Sequence, residues 1–236
     1  MREGLTSREL NSEVSKAYDA IATSYDSFYS EPVYQTEDRI LYLDLLQHFI
    51  DQGTGQIKSI VDVGCGTGNA WDYIGSWLSS HDYYGVDVSR GMIDKAIEKV
   101  GRSPTTSFRV QDIREHTKIH DVLISMYGGF SYMPVDEVAQ QISGLLRRRG
   151  RFYVVLFGQG YIPSDNVVVD ESSAMVRTDC SEIKSVFSKP SYGLAVTGIE
   201  ALLTEVSKNQ SKSKRVSLIR QEKNRGQFLV VKGFRV

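Results

Sequence analysis

The sequence predicts a doubly wound α/β fold, a mostly parallel sheet with helices on both faces, and three observations carry that expectation. First, an apolar, β-branched run (Ile57, Ile60, Val61, Val63) enters a glycine turn (Gly64, Gly66, Gly68) that opens into a helical pattern. Second, strand-like and helix-like stretches then alternate regularly as far as Phe157, the pattern of a parallel sheet covered on both sides. Third, two strand-like runs close the chain, Arg215–Gln221 and Gln227–Val236, joined by EKNRG, which predicts an antiparallel hairpin.

The elements follow in order. Val14, Ala17, Tyr18, Ile21, Ala22 and Tyr25 fall at helical spacing and predict an amphipathic N-terminal helix. A loop with Pro32 separates it from a second helix, about Thr36–Ile50, whose apolar face is broad and which Gly53 and Gly55 should end. Both helices precede the first strand, so they are expected to lie over its carboxyl end as a lid. After the glycine turn, Asn69 is placed to cap a helix carrying Ala70, Tyr73, Ile74, Trp77 and Leu78. Strand Tyr83–Val88 leads to Ser89, a cap for a helix with Ile93, Ala96, Ile97 and Val100 on its inner face. Strands Ser107–Gln111 and His120–Met126 come next. Pro134 suits the first turn of a helix whose inner face runs from Val135 to Leu146, and strand Arg151–Phe157 completes the alternation. Gly158–Asn209 lacks a clean period and is expected to form irregular strands or a small cap. The organisation expected is a single domain, with a helical lid (1–52), a core (53–157), a cap insertion (158–209) and the terminal hairpin (210–236).

Composition narrows the function classes. Hydrophobic residues are 41% of the 236 and charged residues 24%, ordinary for a globular chain with a proper core. No apolar run approaches the roughly 20 residues of a membrane span, and the polar start argues against a signal peptide, so cytoplasmic residence is the default expectation. Cys65 and Cys180 form neither a disulfide framework nor a metal-ligand spacing, and no metal is expected. A net charge of −1 gives no global attraction to nucleic acid; Lys208–Arg215 is locally basic, which fits a solvated loop.

Right-handed crossovers bring the strand C-termini to one edge, so Gly64, Asp87, Asp112 and Tyr127 converge although distant in sequence. Glycines there let a ligand lie on the backbone, and Asp87 falls roughly 20 residues on, where a nucleotide fold places its ribose-binding carboxylate. A nicotinamide-binding fold wants G-x-G-x-x-G; this chain has Gly64-x-Gly66-x-Gly68 with Asp62 two residues ahead.

The set VDVGCGTGN, then GVDVS with Met92 close behind, then VQDI, then DVLISMYGGFSYM resembles the class I methyltransferases that use S-adenosylmethionine. The likeness covers about residues 57–157 at motif level. It implies a Rossmann-like, seven-stranded sheet whose last two strands are antiparallel, with S-adenosyl-L-methionine as cofactor. The resemblance also assigns roles. The backbone at Gly64, Cys65, Gly66 and Gly68 would hold the amino-acid tail and sugar, and Asp62 would steady that loop. Asp87 would accept from the ribose hydroxyls, Val88 and Met92 would sandwich the adenine, and Asp112 with Ile113 would read its exocyclic amine. The stretch Ser125–Met133 would floor the methyl group, with Met126 on the cofactor and Tyr127 at the reacting centre. In families with a similar N-terminal segment a tyrosine reaches the methionine moiety or the reacting centre, which makes Tyr25 and Tyr18 candidates, against simple packing of both.

Methyl transfer is an in-line displacement in which alignment matters more than acid–base chemistry, and a base is needed only for a protonated acceptor. His116, following the Asp112 loop, is the histidine candidate, a solvated loop residue being the plainer alternative. Methyltransferases of exocyclic amines and glutamine side chains often carry Asn/Asp-Pro-Pro-aromatic after the fourth strand; SMYGG stands here instead. Tyr127, Phe130 and Tyr132 suggest an aromatic wall, hence O- or N-methylation of a small molecule, without nucleic-acid or membrane partners. The competing expectations are a protein or RNA methyltransferase using Lys208–Arg215, a non-catalytic module that only binds S-adenosylmethionine, and, last, a nicotinamide oxidoreductase.

Overall fold

A computed structural model describes residues 7–30, 32–50, 57–127, 129–161, 175–206, 216–221 and 228–236. Its centre is β1 (Ser59–Val63), hydrogen-bonded in parallel to β2 (Asp82–Asp87) on one side and β4 (His120–Ser125) on the other. The strand order reverses at β1, which opens a crevice at the carboxyl ends of the strands. β3 (Thr106–Val110) extends the parallel sheet beyond β2, and β5 (Leu146–Phe157) extends it beyond β4. The predicted doubly wound, mostly parallel sheet is therefore present.

The whole sheet runs β3-β2-β1-β4-β5-β8-β6-β7, with β6 (Leu194–Val206), β7 (Val216–Gln221) and β8 (Phe228–Arg235) antiparallel to their neighbours. The seven strands expected are β1 to β5, β7 and β8, and β6 is the eighth, inserted between the last two. Their pairing differs from the predicted hairpin: β7 and β8 do not touch, because β6 lies between them. β6 arises inside the stretch expected to form irregular strands or a small cap. A register shift between Val196 and Gly198 interrupts its two-residue alternation, which hides the strand from a period-based reading. The joining EKNRG lies outside the described residues.

Alternation along the strands divides the core. Val61, Val63, Leu123, Phe152 and Val154 face α6 (Val135–Leu145) and α7 (Cys180–Phe187). Ile60, Val122, Ile124, Tyr153 and Val155 face the opposite layer, where α3 (Pro32–Ile50) and α4 (Asn69–Leu78) pack. Leu41, Tyr42, Leu45 and Phe49 of α3 are buried there. α3 is thus a layer of the fold and not a lid, and only its first turns reach the crevice. Its apolar breadth follows from this two-sided duty: one face fills the core, while Leu43 and Ile50 stand exposed.

α1 (Ser7–Ile21) does lie over the carboxyl edge. Ser15 Oγ donates to the Val88 carbonyl (3.0 Å), while at the start of α5 (Arg90–Val100) Ser89 Oγ (2.6 Å) and the Gly91 amide (2.8 Å) donate to Asp19 of α1. The short α2 (Tyr25–Phe28) leads from it towards α3. Among the described residues no helix is long and apolar enough to cross a membrane.

Candidate active site

A cavity of about 610 Å³ opens where the strand order reverses, in the size range of small-ligand sites. Its floor is the turn after β1. The Gly64 and Cys65 amides both donate to the Val86 carbonyl (2.8 and 3.1 Å), which ties the turn to the end of β2. Gly64 has φ +70°, and a Cβ there would stand 2.4 Å from Gly129 Cα in the loop after β4. The two loops therefore meet backbone to backbone, which only a glycine pair permits. Gly66 (φ +54°) borders the cavity with open space around it. Gly68 behaves differently. It does not line the cavity; its missing Cβ lets α4 approach Ala96 and Val100 of α5. Gly68 is also the residue preceding α4, so Asn69 is not the cap expected: its amide instead donates to Asp38 Oδ2 at 2.9 Å.

Three carboxylates stand at successive strand ends, as the alternation predicts. Asp62 is buried in β1 and accepts from the Tyr83 hydroxyl (2.7 Å); loss of water pushes its carboxyl up to about 7. Asp87 accepts from the Gly66 amide (3.0 Å) and the Ser89 amide (2.9 Å), and burial raises it to about 6 against the pull of those bonds. Asp112 accepts from the Arg114 amide (2.9 Å) and from the Asn11 side-chain amide of α1. Val88, Met92, Ile113 and Met126 complete this half as apolar lining. Cys65 is buried in the turn, and burial pushes its thiol well above the usual range, so it fills space as a neutral group.

The other half is aromatic. The Tyr18 hydroxyl is 2.8 Å from that of Tyr132, with Tyr25 beside it (ring centroids 6.3 Å apart) and Tyr29 beyond (4.9 Å from Tyr25). Tyr127, just past β4, has φ +43°, a strained conformation for a bulky residue. Its ring meets Phe228 edge-on at 5.2 Å, and its buried hydroxyl faces Asp38.

Of the residues singled out from the sequence, Tyr18, Tyr25, Asp62, Gly64, Cys65, Gly66, Asp87, Val88, Met92, Asp112, Ile113, Met126 and Tyr127 border one cavity. His116 does not. The short 3-10 turn Ile113–Glu115 carries the chain back along the sheet, so the His116 ring stacks on His120 at the far end of β4, Nε2 to Nε2 at 2.8 Å. It has no access to a reacting centre. Sequence reasoning missed Asn11, Asp38, Tyr73 and Gly129. For Gly129 the Gly128-Gly129 pair was a usable signal; the others lie on helices whose pattern shows only their packing.

The family model "Methyltransferase domain" matches residues 60–150. A curated protein of Invertebrate iridescent virus 6, 235L, whose methyltransferase name is itself provisional, is 26% identical over 112 residues. That match takes in 46% of this chain and 41% of the viral protein, so the chain spans about two-fifths of that relative's length. Among solved structures, magnesium protoporphyrin IX methyltransferase from Synechocystis PCC 6803 with bound S-adenosylhomocysteine superposes with a TM-score of 0.63 at 13% identity, over 96% of this chain and 100% of that one. A Thermotoga maritima S-adenosylmethionine-dependent methyltransferase, described as a possible histamine N-methyltransferase, gives 0.58 at 14% identity, covering 94% and 99%. At these identities the structural likeness is one of fold.

Proposed function

The chain carries a class I S-adenosylmethionine-dependent methyltransferase domain, and from that premise we propose that it transfers the methyl group to a nitrogen or oxygen of a small molecule by in-line displacement. The observation that carries this reading is the cavity at the carboxyl edge, in which a glycine-rich, carboxylate-bearing loop edge faces a wall of aromatic rings.

The residues present fit the cofactor. Gly66 leaves its backbone open to a ligand, and each Asp87 oxygen, already holding one amide, keeps capacity for a ribose hydroxyl. Asp112 accepts an N–H from the Asn11 amide, the same kind of donor as the exocyclic amine of adenine. Val88, Met92 and Ile113 offer apolar surface on which a base can stack. S-adenosylmethionine supplies a methyl group on a positively charged sulfur. The protein's part is to align an acceptor behind that methyl and exclude water, and alignment of this kind is worth up to about 7–11 kcal/mol of barrier. Tyr25 and Tyr127 border the aromatic half where the acceptor would lie, and α1 closes over the edge. The Tyr18 hydroxyl is taken by Tyr132, so Tyr18 serves the wall. With His116 remote, no imidazole reaches the cavity among the described residues.

The contact strip considered for a macromolecular acceptor, Lys208–Arg215, lies outside the described residues. The aromatic lining and modest size of the cavity favour a small acceptor. Calorimetric titration with S-adenosylmethionine, S-adenosylhomocysteine and NAD tests the premise. Binding of the first two and not the third, weakened by Asp87→Ala, is the expected result; absence of binding by both would sink the reading.

A further inference from the structure

The cavity is chemically lopsided. Seven carboxylates line it (Asp26, Glu37, Asp38, Asp62, Asp72, Asp87, Asp112) and, among the described residues, no lysine, arginine or histidine does. Asp62, Asp87 and Asp112 belong to the loop half already described. Asp26 and Asp72 are compensated from behind the wall by Lys99, whose Nζ lies 3.0 and 2.8 Å from them. Asp38, on the first turns of α3, is different. It is 7% exposed, and its partners are uncharged: the Asn69 amide at 2.9 Å and the Tyr73 and Tyr127 hydroxyls that face it. The charge that acts on it is another carboxylate, Asp72.

A buried carboxylate without a counter-ion is costly to keep ionised, and burial accordingly raises the Asp38 carboxyl above its ordinary value. Two further observations describe the space around it. The Tyr127 hydroxyl is buried and turned to Asp38, on a residue held at φ +43°, so the two polar groups stand together at one end of the cavity. The surroundings are ring faces and edges: Tyr42 stacked on Tyr73 (5.0 Å) and Tyr127 edge-on to Phe228 (5.2 Å). Aromatic faces attract cations and not anions.

We propose that the methyl acceptor is an amine, which enters as its ammonium cation and is held at the Asp38–Tyr127 end of the cavity. The inference rests on the methyltransferase reading above and narrows its acceptor. An acceptor whose nucleophile is a carboxylate or phosphate would meet only like charge here. The chemistry balances. The ammonium passes one proton to the Asp38 carboxylate, and the freed nitrogen lone pair forms the N–C bond as the C–S bond breaks. The breaking pair stays on sulfur, giving a neutral thioether, and the methylated ammonium leaves as Asp38 returns its proton to solvent.

The test uses a pair of probes that differ only in charge: choline and its neutral carbon isostere 3,3-dimethyl-1-butanol. Each is titrated calorimetrically into the full chain saturated with S-adenosylhomocysteine. Choline binding at least tenfold tighter than the alcohol, with the gap closing in Asp38→Asn, is expected. Equal binding of the two, binding of neither, or a gap that Asp38→Asn leaves intact would overturn the proposal. The comparison on the unaltered chain stands even where Asp38→Asn does not fold. Failure of S-adenosylhomocysteine to bind in the first step would instead remove the methyltransferase reading beneath it.

Discussion

The two halves of the cavity are built on different plans. The loop half is made within a few residues of strand ends, and its polar groups are already committed to the backbone: Asp87 to the Gly66 and Ser89 amides, Asp112 to the Arg114 amide. The aromatic half is assembled from α1, α2, the start of α3 and the turn after β4, and its contacts are mostly ring against ring. A site fixed by main-chain geometry tolerates little change and suits a constant ligand. A wall of rings can be re-cut residue by residue, which suits an acceptor that differs between relatives.

The comparison breaks most visibly at Gly64. Gly64→Ala places a Cβ 2.4 Å from the Gly129 backbone in a left-handed conformation, so neither side can yield cheaply. A loss of about 4 kcal/mol or more in urea unfolding, with no remaining S-adenosylhomocysteine binding, is expected. Gly66→Ala should cost only about 1–2 kcal/mol, since its Cβ meets open space and only the positive φ is penalised. Equal losses would mean that the two loops do not meet as described.

Asp62 gives the next effect, through pH. Its carboxyl is raised from 3.8 to about 7, so between those values the folded chain binds more protons than the unfolded one. Stability from this group is therefore greatest below about pH 4 and falls as pH rises towards 7, by a few kcal/mol in all. Asp87, raised to about 6, adds in the same direction. Urea midpoints at pH 5 and pH 8 should show the decline, and Asp62→Asn, which keeps an acceptor for the Tyr83 hydroxyl, should flatten most of it. A midpoint that rises from pH 5 to 8 in the unaltered chain, or an unchanged slope in the variant, would contradict this account.

Asp87→Ala removes a charged acceptor worth about 1.5–3 kcal/mol, hence a roughly 10–100-fold weaker S-adenosylhomocysteine complex by calorimetry. The same substitution should leave the preference for choline over its neutral isostere in place, because that belongs to the other half. Loss of both together would merge the two halves into one unit.

The difference in plan also decides what could be seen in the sequence. Gly64, Gly66, Asp87 and Asp112 were legible because local rules place them: glycine where φ is positive, a carboxylate where a buried strand meets the ligand edge. The same rules failed where tertiary contact decides. Asp38 lies on a helix whose pattern shows only its packing face, and nothing local says that Asn69 abandons the cap for it. His116 was misplaced because a three-residue 3-10 turn, too short to leave a periodic trace, reverses the chain after Asp112. β6 escaped because one irregularity near Gly198 breaks its alternation, and with it went the pairing of the last strands.

Tyr18 stands on the boundary between the halves, which makes its removal the smallest and most discriminating change. Its hydroxyl pairs with Tyr132 at 2.8 Å, and burial pushes it up to about 12, so it stays protonated at any working pH. Tyr18→Phe keeps the ring contacts and leaves the Tyr132 hydroxyl alone, which should cost about 1 kcal/mol of stability. Were Tyr18 only part of the wall, S-adenosylhomocysteine affinity would shift less than about threefold, a change well under 1 kcal/mol. A tenfold loss of affinity with stability unchanged would instead move the Tyr18 hydroxyl into the ligand set of the loop half. Because the group does not titrate below about pH 12, either result should be the same at pH 6 and pH 9, and a pH-dependent difference would point to Asp87 as its true partner.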